Sequence, residues 1–213
     1  MNDFMHVIQP MDNYLRNDIS LKGKWNRDFF KNDNPIVLEL GCGRGEYTLE
    51  LAKRYPAKNF IGVDIKGNRM YIGAHESNTL NLKNIGFLRI KIEDILHCFC
   101  TDEISEIWIT FPDPQIKKRR HRKRLTHPDF INKYNHIVQD NGIIHLKTDS
   151  KFLYGYTLGM IDAGNHNLID CSDDIYRSDK KREDLDIHTY YEKMFLLKEI
   201  NITYIRFSLD NTN

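Results

Sequence analysis

Hydrophobic residues follow two alternating spacings along most of this chain, beginning at Pro35. Short runs rich in Val, Ile and Leu predict buried strands, and the stretches between them have apolar residues three and four positions apart, as in helices. The predicted strands are residues 36–40, 59–64, 86–90, 104–111 and 143–148, and the predicted helices are residues 45–54, 66–81, 127–139 and 150–163. This alternation predicts an α/β fold, with a mostly parallel sheet and helices on both faces.

The pattern changes at both ends of the chain. Residues 1–34 are polar with scattered aromatic side chains, and we expect an N-terminal arm outside the core of a single domain at residues 35–213. After Gly164 the pattern predicts a weak strand at 167–171, a helix near 189–197 and a strand at 200–209. The last segment alternates apolar and polar positions and suits an antiparallel edge strand, which completes a seven-stranded sheet.

Composition restricts the class of protein. With 213 residues, of which 40% are hydrophobic, the chain is long enough for one well-buried core and too short for two large domains. No apolar stretch approaches the ~18 residues of a membrane span, and the first residues lack the pattern of a signal peptide. The cysteines at 42, 98, 100 and 171 fit neither a disulfide framework nor a zinc site. We therefore expect a cytoplasmic protein with reduced thiols and no bound metal.

Positive charge is concentrated in one segment, the basic run of residues 117–124, which begins at Lys117 and ends at Arg124. It contains seven of the 31 Lys and Arg residues, so the rest of the chain has 24 basic against 30 acidic residues. A dense positive patch on an acidic body attracts the phosphate backbone of a nucleic acid. Many basic runs are instead solvated surface or targeting signals. The position of this run, directly after a carboxylate at a strand end, favours nucleic-acid binding.

That carboxylate belongs to Asp113, which lies between Pro112 and Pro114 just past the apolar strand. Each proline fixes its own φ angle and restricts the residue before it, so Asp113 is held at the end of the strand. A fixed carboxylate followed at once by a basic run predicts chemistry on a nucleic acid. Asp113 is the candidate catalytic residue.

A glycine-rich turn, Glu39-Leu-Gly-Cys-Gly-Arg-Gly-Glu46, joins the first strand to the first helix. Gly41 and Gly43 let the backbone turn tightly and approach a ligand, although such turns also occur as plain strand–helix connections. The carboxylate at 46 would repel a pyrophosphate, whereas Asp64, at the end of the second strand, is placed to accept both hydroxyls of a ribose. This pairing predicts S-adenosylmethionine, a nucleoside cofactor without phosphates whose cationic groups favour Glu39.

An acid for the adenine end of this cofactor is predicted after the third strand. Either Glu93 or Asp94 is a candidate for contact with the adenine amino group, and the other would then cap the helix that follows. We include Glu93 in the predicted cofactor site.

Together these segments resemble the bacterial tRNA (guanine-N7)-methyltransferase family. The resemblance covers about residues 35–207. Besides the glycine turn and Asp64, it rests on Phe111-Pro-Asp-Pro-Gln-Ile-Lys-Lys118, His145-Leu-Lys-Thr-Asp149 and Thr189-Tyr-Tyr-Glu192. It implies a Rossmann-like class I methyltransferase fold, S-adenosylmethionine as methyl donor, and N7 of a guanine in the tRNA variable region as acceptor.

The resemblance also implies roles for individual residues. Glu39, Asp64 and Asp113 would contact the cofactor or the active centre. The residues that would contact the substrate are Lys117, Asp149, Thr189, Tyr190, Tyr191 and Glu192. The spacing of Thr189 and Glu192 also fits an ordinary capping box, and either Asp149 or Ser150 is suited to cap the helix that follows them.

Two positions depart from the family. Gln115 stands where a tryptophan commonly follows the Asp-Pro pair, and an ungapped alignment places the adenine-side acid of the family at Lys91, not Glu93. A methyltransferase for another target and a non-catalytic RNA-binding module of the same fold are the alternative functions. We infer no obligate protein partner, and the sequence leaves open whether the protein is a monomer or a homodimer.

Overall fold

The structure, a computed structural model, describes residues 4–10, 17–177 and 182–209. The strands are β1 Val7–Ile8, β2 Ile36–Leu40, β3 Asn59–Asp64, β4 Ile85–Arg89, β5 Ile104–Thr110, β6 Val138–Thr148, β7 Asn167–Ser172 and β8 Thr203–Ser208. The α-helices are α1 Glu46–Arg54, α2 Gly67–Thr79, α3 Pro128–Ile137, α4 Lys151–Ala163 and α5 Tyr190–Leu196. Shorter helical turns span Trp25–Phe30, Ile92–His97, Lys118–Lys123 and Glu183–Leu185. Among the described residues, no helix is long and apolar enough to cross a membrane.

The described strands form one sheet in the order β1-β4-β3-β2-β5-β6-β8-β7. Strands β1 to β6 are parallel to one another, and β8 is antiparallel to both β6 and β7. This is the predicted α/β fold with a mostly parallel sheet and an antiparallel edge strand. It has eight strands instead of the expected seven, because the arm contributes β1.

Helices cover both faces of the sheet. Helices α1 and α2 contribute to one buried cluster, and α3 and α4 contribute to the other. Side chains that are adjacent along β2 enter opposite clusters, as Val37 and Leu38 do. The central strands are therefore apolar on both faces, which is why they appear in the sequence as continuous hydrophobic runs.

The last strand was correctly predicted as antiparallel, but it is not the edge of the sheet. Strand β8 lies between β6 and β7, and β7 forms the edge. Tyr204, Ile205 and Phe207 of β8 are all buried, whereas Leu168 and Ile169 of β7 are exposed. A strand that is buried on both faces needs a partner on each side, so β8 takes the inner position.

Strand β6 begins earlier than the sequence predicted. The predicted turn at Asn141 and Gly142 lies inside the strand, and α3 ends at Ile137 instead of near residue 139. Asn141 has a left-handed φ of 62°, and the register between β5 and β6 shifts between Ile104 and Glu106. The turn residues therefore form an irregularity in a continuous strand.

The described part of the arm packs closely on the domain. Strand β1 adds to β4 at one edge of the sheet. The side chain of Trp25 is fully buried, stacks on Phe99 with ring centroids 5.4 Å apart, and donates from Nε1 to the Cys98 carbonyl oxygen (2.9 Å). The aromatic side chains of the arm were expected to lie outside the core, but Trp25 is part of it. Residues 1–3 and 11–16 of the predicted arm lie outside the described residues, and the boundary at residue 34 stays a prediction.

Candidate active site at the carboxyl ends of the strands

A cavity of about 450 Å³ opens where β2, β3, β5 and β6 end. The chain passes from β2 toward β4 on one side and later from β5 toward β6 on the other, so loops diverge between β2 and β5. Such a switch in strand order leaves a crevice at the carboxyl ends of the strands. The predicted site residues that line this cavity are Glu39, Gly41, Gly43, Asp64, Asp113, Asp149, Thr189 and Tyr191.

A second cavity, of about 710 Å³, lies between α3 and α4. Ile131, Gly155, Gly159 and Met160 are among its lining residues, and none of the predicted site residues is. Its size alone does not make it the active site, because the titratable groups and the glycine turn meet at the switch point.

The glycine turn gives the cavity its floor. Gly41 and Gly43 have left-handed φ angles of 79° and 55°, a conformation that side-chain-bearing residues rarely adopt. Gly45 is also left-handed, and a Cβ atom there would lie 2.6 Å from the Phe87 ring. Because the turn stays free of side chains at these points, the backbone before α1 faces the cavity directly.

Glu39 provides a buried carboxylate at the end of β2. Its oxygens accept hydrogen bonds from the Thr48 amide (2.8 Å), the Thr48 hydroxyl and the Thr110 hydroxyl (2.6 Å). Burial raises the pKa of Glu39 to about 7, although these hydrogen bonds oppose the shift, and the negative charge of Asp64 adds to it. A cation bound beside this carboxyl group would stabilise its ionised form.

Asp64 links the end of β3 to the glycine turn. One carboxylate oxygen accepts from the Gly43 amide (2.9 Å) and the other from the Lys66 amide (2.7 Å). Each oxygen has a further lone pair for a ligand in the cavity. The two backbone contacts fix the direction of the carboxylate before any ligand arrives.

The loop that carries Asp113 has an unusual backbone. Phe111 and Gln115, on either side of the Pro-Asp-Pro segment, have left-handed φ angles of 47° and 46°. Residues other than glycine adopt this conformation only at an energetic cost. Residues held in it are enriched at functional sites. The Gln115 amide donates to Asp113 Oδ1 (3.0 Å), and the Asp113 side chain is exposed at the cavity.

Asp149, at the end of β6, faces the cavity without acting as a helix cap. Helix α4 is capped by Ser150, whose hydroxyl oxygen accepts from the Leu153 amide (3.2 Å). Asp149 is half-buried, and this burial raises the pKa of its carboxyl group. Of the two predicted caps, the structure therefore uses Ser150 and leaves Asp149 for the cavity.

The start of α5 forms the opposite wall. Thr189 caps the helix by accepting from the Glu192 amide (3.3 Å), and Tyr191 lines the cavity. Tyr190 is held from the side of α1, because its amide donates to Glu46 (2.8 Å) and its ring lies 4.2 Å from the Arg44 guanidinium carbon. Contacts between α1 and α5 thus fix the position of this wall.

Glu192 does not reach the cavity. Its carboxylate is fully buried and accepts from Lys147 Nζ (2.9 Å) and from the Tyr176 hydroxyl (2.6 Å). The same ammonium donates to the carbonyl oxygens of Leu185 (2.8 Å) and Ile187 (3.1 Å). Because the carboxylate bonds to these partners, it does not complete the capping box, and only the Thr189 half forms.

Lys147 was missed as a functional candidate by the sequence analysis. It is the only Lys or Arg in the apolar strand β6, which was a usable signal, because a buried ammonium needs an acid nearby. Through Glu192 and two carbonyl groups, it ties the segment that leads into α5 to the central sheet. Lys147 therefore supports the wall that carries Thr189 and Tyr191.

Besides Tyr190 and Glu192, the predicted site residues Glu93 and Lys117 lie away from the cavity lining. Glu93 is exposed on the turn Ile92–His97, and neither Glu93, Asp94 nor Lys91 is among the lining residues. Lys117 is exposed and directly precedes the helical turn Lys118–Lys123. The adenine-side and substrate assignments of these residues stay predictions.

The basic run has two different parts. The side chains from Lys117 to Lys123 are exposed, whereas Arg124 is buried. Arg124 belongs to the predicted phosphate-binding run, but its burial separates it from the other cations. Within the described ranges, no group of three or more His, Cys, Asp or Glu side chains is arranged to hold a metal ion.

A Rossmann-like sheet with a glycine turn after β2, an acid at the end of β3 and a cavity at the switch point defines the class I methyltransferase fold. Solved structures agree with this class. The 16S rRNA methyltransferase KamB has a TM-score of 0.67 at 12% identity, with 91% of this chain and 95% of that chain covered. A 30S ribosomal A1408 methyltransferase from an uncultured bacterium has a TM-score of 0.61 at 16% identity, with 85% and 90% covered.

Sequence comparisons define the family more narrowly. The profile of a family described as "Putative methyltransferase" matches residues 33–204. A tRNA (guanine-N(7)-)-methyltransferase of Christiangramia forsetii is 50% identical, over 97% of this chain and 93% of the relative. Proteins of the same name from Bacteroides thetaiotaomicron and Clostridioides difficile are 49% and 39% identical, over 98% and 88% of this chain and 82% and 86% of the relatives. The chain belongs to the tRNA (guanine-N(7)-)-methyltransferase family, which confirms the resemblance drawn from its motifs.

We expect Glu39 to make stability fall as pH rises from about 5 to 7. Its pKa is raised from 4.5 to about 7 in the folded protein, so the folded state holds a proton that the unfolded state has lost. The contribution of Glu39 to stability is therefore greatest below this range and decreases through it, by on the order of 3 kcal/mol in total. His6, His127 and His145, whose pKa values are lowered by burial, contribute in the opposite direction. Urea unfolding at several pH values should show this decrease in the stability of wild type relative to Glu39→Gln. Glu76→Gln, an exposed control, should keep the wild-type profile.

We also expect Lys147→Met to lose more stability than the double variant Lys147→Met, Glu192→Leu. Removing one partner of a buried ion pair costs about 3–5 kcal/mol, whereas replacing both by apolar residues is often close to neutral. Urea unfolding measures both changes. Lys53→Met, which breaks the exposed pair with Glu50, should cost less than about 1 kcal/mol. Equal losses in the single and double variants would contradict this account of the pair.

Proposed function

We propose that this protein transfers a methyl group from S-adenosylmethionine to N7 of a guanine in the tRNA variable region, forming 7-methylguanosine. One observation carries the proposal: the cavity that contains Glu39 and Asp64 also contains Asp113, and the Asp113 loop continues directly into the basic run. A cofactor site and a polyanion-binding segment thereby share one loop. The relatives named above support tRNA as the substrate, and we infer that the enzyme works in the cytoplasm.

The residues present fit S-adenosylmethionine by charge and by hydrogen-bonding capacity. The buried carboxylate of Glu39 favours a cation, and the cofactor has an ammonium group and a sulfonium group. Asp64, held by two backbone amides, would accept the ribose hydroxyl groups, and the turn at Gly41 and Gly43 leaves room for the cofactor. When bound, the cofactor supplies an electrophilic methyl group.

Guanine N7 needs no general base, because its lone pair is free in the neutral purine. Methylation leaves a positive charge on the ring, so the protein contributes positioning and electrostatic stabilisation. Asp113 is suited to both tasks: its carboxylate would accept hydrogen bonds from the N1 and N2 edge of guanine and stabilise the cationic ring. Asp149, half-buried at the same cavity, adds negative potential and a second acceptor.

A guanine inside a folded tRNA must be exposed before it can enter the cavity. The exposed side chains from Lys117 to Lys123 would hold the phosphates on either side of it, and Lys117 is the member nearest in sequence to Asp113. Thr189 and Tyr191 on the opposite wall would contact the inserted nucleotide.

Mass spectrometry of nucleosides tests the proposal, after incubation of the protein with unmodified tRNA and S-adenosylmethionine. 7-Methylguanosine would support it. A different methylated nucleoside would assign another target. Binding of tRNA without any methylated product would instead identify an RNA-binding module of the same fold.

We expect Asp113→Asn to fold and bind S-adenosylmethionine normally while methylating tRNA roughly 10²-fold more slowly, the scale for removing one preorganised electrostatic interaction. Single-turnover methylation at saturating cofactor measures the rate, and calorimetry measures cofactor affinity. The wild-type rate should change little from pH 6 to 9, because no proton leaves N7 before attack. A fully active variant, or a rate that rises tenfold per pH unit, would remove Asp113 from this role.

Replacing Arg119, Arg120 and Lys123 together should weaken tRNA binding and flatten its salt dependence. The slope of log K against log salt is negative, and its magnitude decreases by about 0.7–0.9 for each phosphate that the protein no longer neutralises. Arg122 is left in place because its guanidinium already pairs with Asp129 (2.7 Å). Filter binding at several salt concentrations measures the slope. An unchanged slope would mean that the run is only solvated surface.

The matched control removes the same type of charge elsewhere. Lys31 and Lys83 are both exposed; Lys31 precedes β2 and Lys83 precedes β4, at the end of the sheet opposite the cavity. Their joint replacement by Ala should leave the salt slope at the wild-type value.

A further inference from the structure

Arg124 differs from every other cation of the basic run. Only 7% of the residue is exposed, although six of its seven neighbours in the run carry a formal charge and all are exposed. Its guanidinium carbon lies 4.8 Å from the ring centroid of Phe152 and 4.4 Å from that of Tyr156, both on α4. A guanidinium held against two aromatic rings is not free to follow a phosphate.

The guanidinium is also bonded to the loop that carries Asp113. Both Nε and Nη2 of Arg124 donate to the carbonyl oxygen of Gln115, over 3.3 and 3.2 Å. The amide of the same Gln115 donates to Asp113 Oδ1 (3.0 Å). Arg124, the Gln115 backbone and the Asp113 carboxylate are therefore connected in series.

We propose that Arg124 is a positioning residue, which orients the Asp113 carboxylate through the backbone of Gln115 and does not contact tRNA. The proposal rests on the function proposed above for Asp113. It assigns the last residue of the basic run to the geometry of the active site and leaves phosphate binding to the exposed residues before it.

The backbone of the loop explains why such a restraint is needed. Phe111 and Gln115 both have left-handed φ angles, and residues other than glycine keep that conformation only where their surroundings enforce it. The Phe111 end is fixed by its amide, which donates to the Lys147 carbonyl oxygen (2.8 Å). Arg124 supplies the contact at the Gln115 end, so both ends of the Pro-Asp-Pro segment are held.

The chemistry of arginine suits this position. Its planar guanidinium stacks on aromatic rings while donating two hydrogen bonds to one acceptor, which a lysine ammonium at the same place cannot do. The contact uses the backbone carbonyl at position 115 and not the side chain. It therefore does not depend on which side chain stands at position 115.

Three variants separate positioning from phosphate binding. Arg124→Met removes the charge and the hydrogen bonds, Arg124→Lys keeps the charge, and Phe152→Ala removes one stacking ring without changing any charge. Phe152 is 43% exposed, so its replacement leaves the core intact. Arg27→Met makes the same chemical change at an exposed arginine of the arm and serves as the control.

Each variant is assayed for single-turnover formation of 7-methylguanosine at saturating tRNA, for the salt slope of tRNA binding, and for cofactor affinity by calorimetry. Both Arg124 variants should lose on the order of 10-fold or more in rate, because small displacements of a catalytic group are costly. Phe152→Ala should lose several-fold. All three should keep the wild-type salt slope and cofactor affinity. Arg119→Ala, by contrast, should give a flatter salt slope of tRNA binding than wild type.

Wild-type rates in Arg124→Lys would overturn the proposal, because charge alone would then be sufficient. A wild-type rate in Phe152→Ala would also contradict it, because the stacking on α4 would then not be needed to hold the guanidinium. A salt slope reduced by about 0.7–0.9 in Arg124→Met would also overturn it, since a reduction of that size means that the wild-type arginine neutralises a phosphate. If Arg124→Met does not fold, the lysine and Phe152 variants decide. If the wild-type protein forms no 7-methylguanosine, the function proposed above fails, and the Arg124 assignment fails with it. If the wild-type protein forms 7-methylguanosine and the variants form it at the same rate, only the Arg124 assignment fails.

Discussion

Strands β2 and β5 lie side by side, yet the chain leaves them toward opposite edges of the sheet, and this divergence creates the site. Right-handed crossovers place α1 and α2 on one face and α3 and α4 on the other, so none of these four helices covers the ends of the two central strands. Glu39 ends one strand and Asp113 follows the other. The cavity, the glycine turn and the loop with Asp113 all occupy the opening that this topology leaves.

Two buried acids near that opening are treated differently. Glu192 is neutralised inside the protein by Lys147, and the pair serves to hold the segment before α5. Glu39 has only hydroxyl and amide donors, so burial raises its pKa, and the site gains most when a cationic ligand binds. Glu192 is thus structural, because Lys147 supplies its cation. Glu39 is a candidate ligand contact, because the hydrogen-bond partners described for it include no cation.

The basic run shows a similar division within eight residues. Its members from Lys117 to Lys123 are exposed, while Arg124 packs on α4 and bonds to the loop that carries Asp113. Substrate binding and active-site geometry would therefore depend on one continuous segment.

Features that depend on local order could be predicted from the sequence: alternating strands and helices, the glycine turn, Asp64 at a strand end, Asp113 between two prolines, and the family. The contacts that these features make could not be predicted in the same way, because they come from segments far apart in the sequence. Lys147 and Glu192 are 45 positions apart, β8 enters between β6 and β7, and Trp25 of the arm joins the core. Each of these outcomes depends on burial by distant segments, and so Glu192 and Arg124, which look like surface charges in the sequence, became interior contacts.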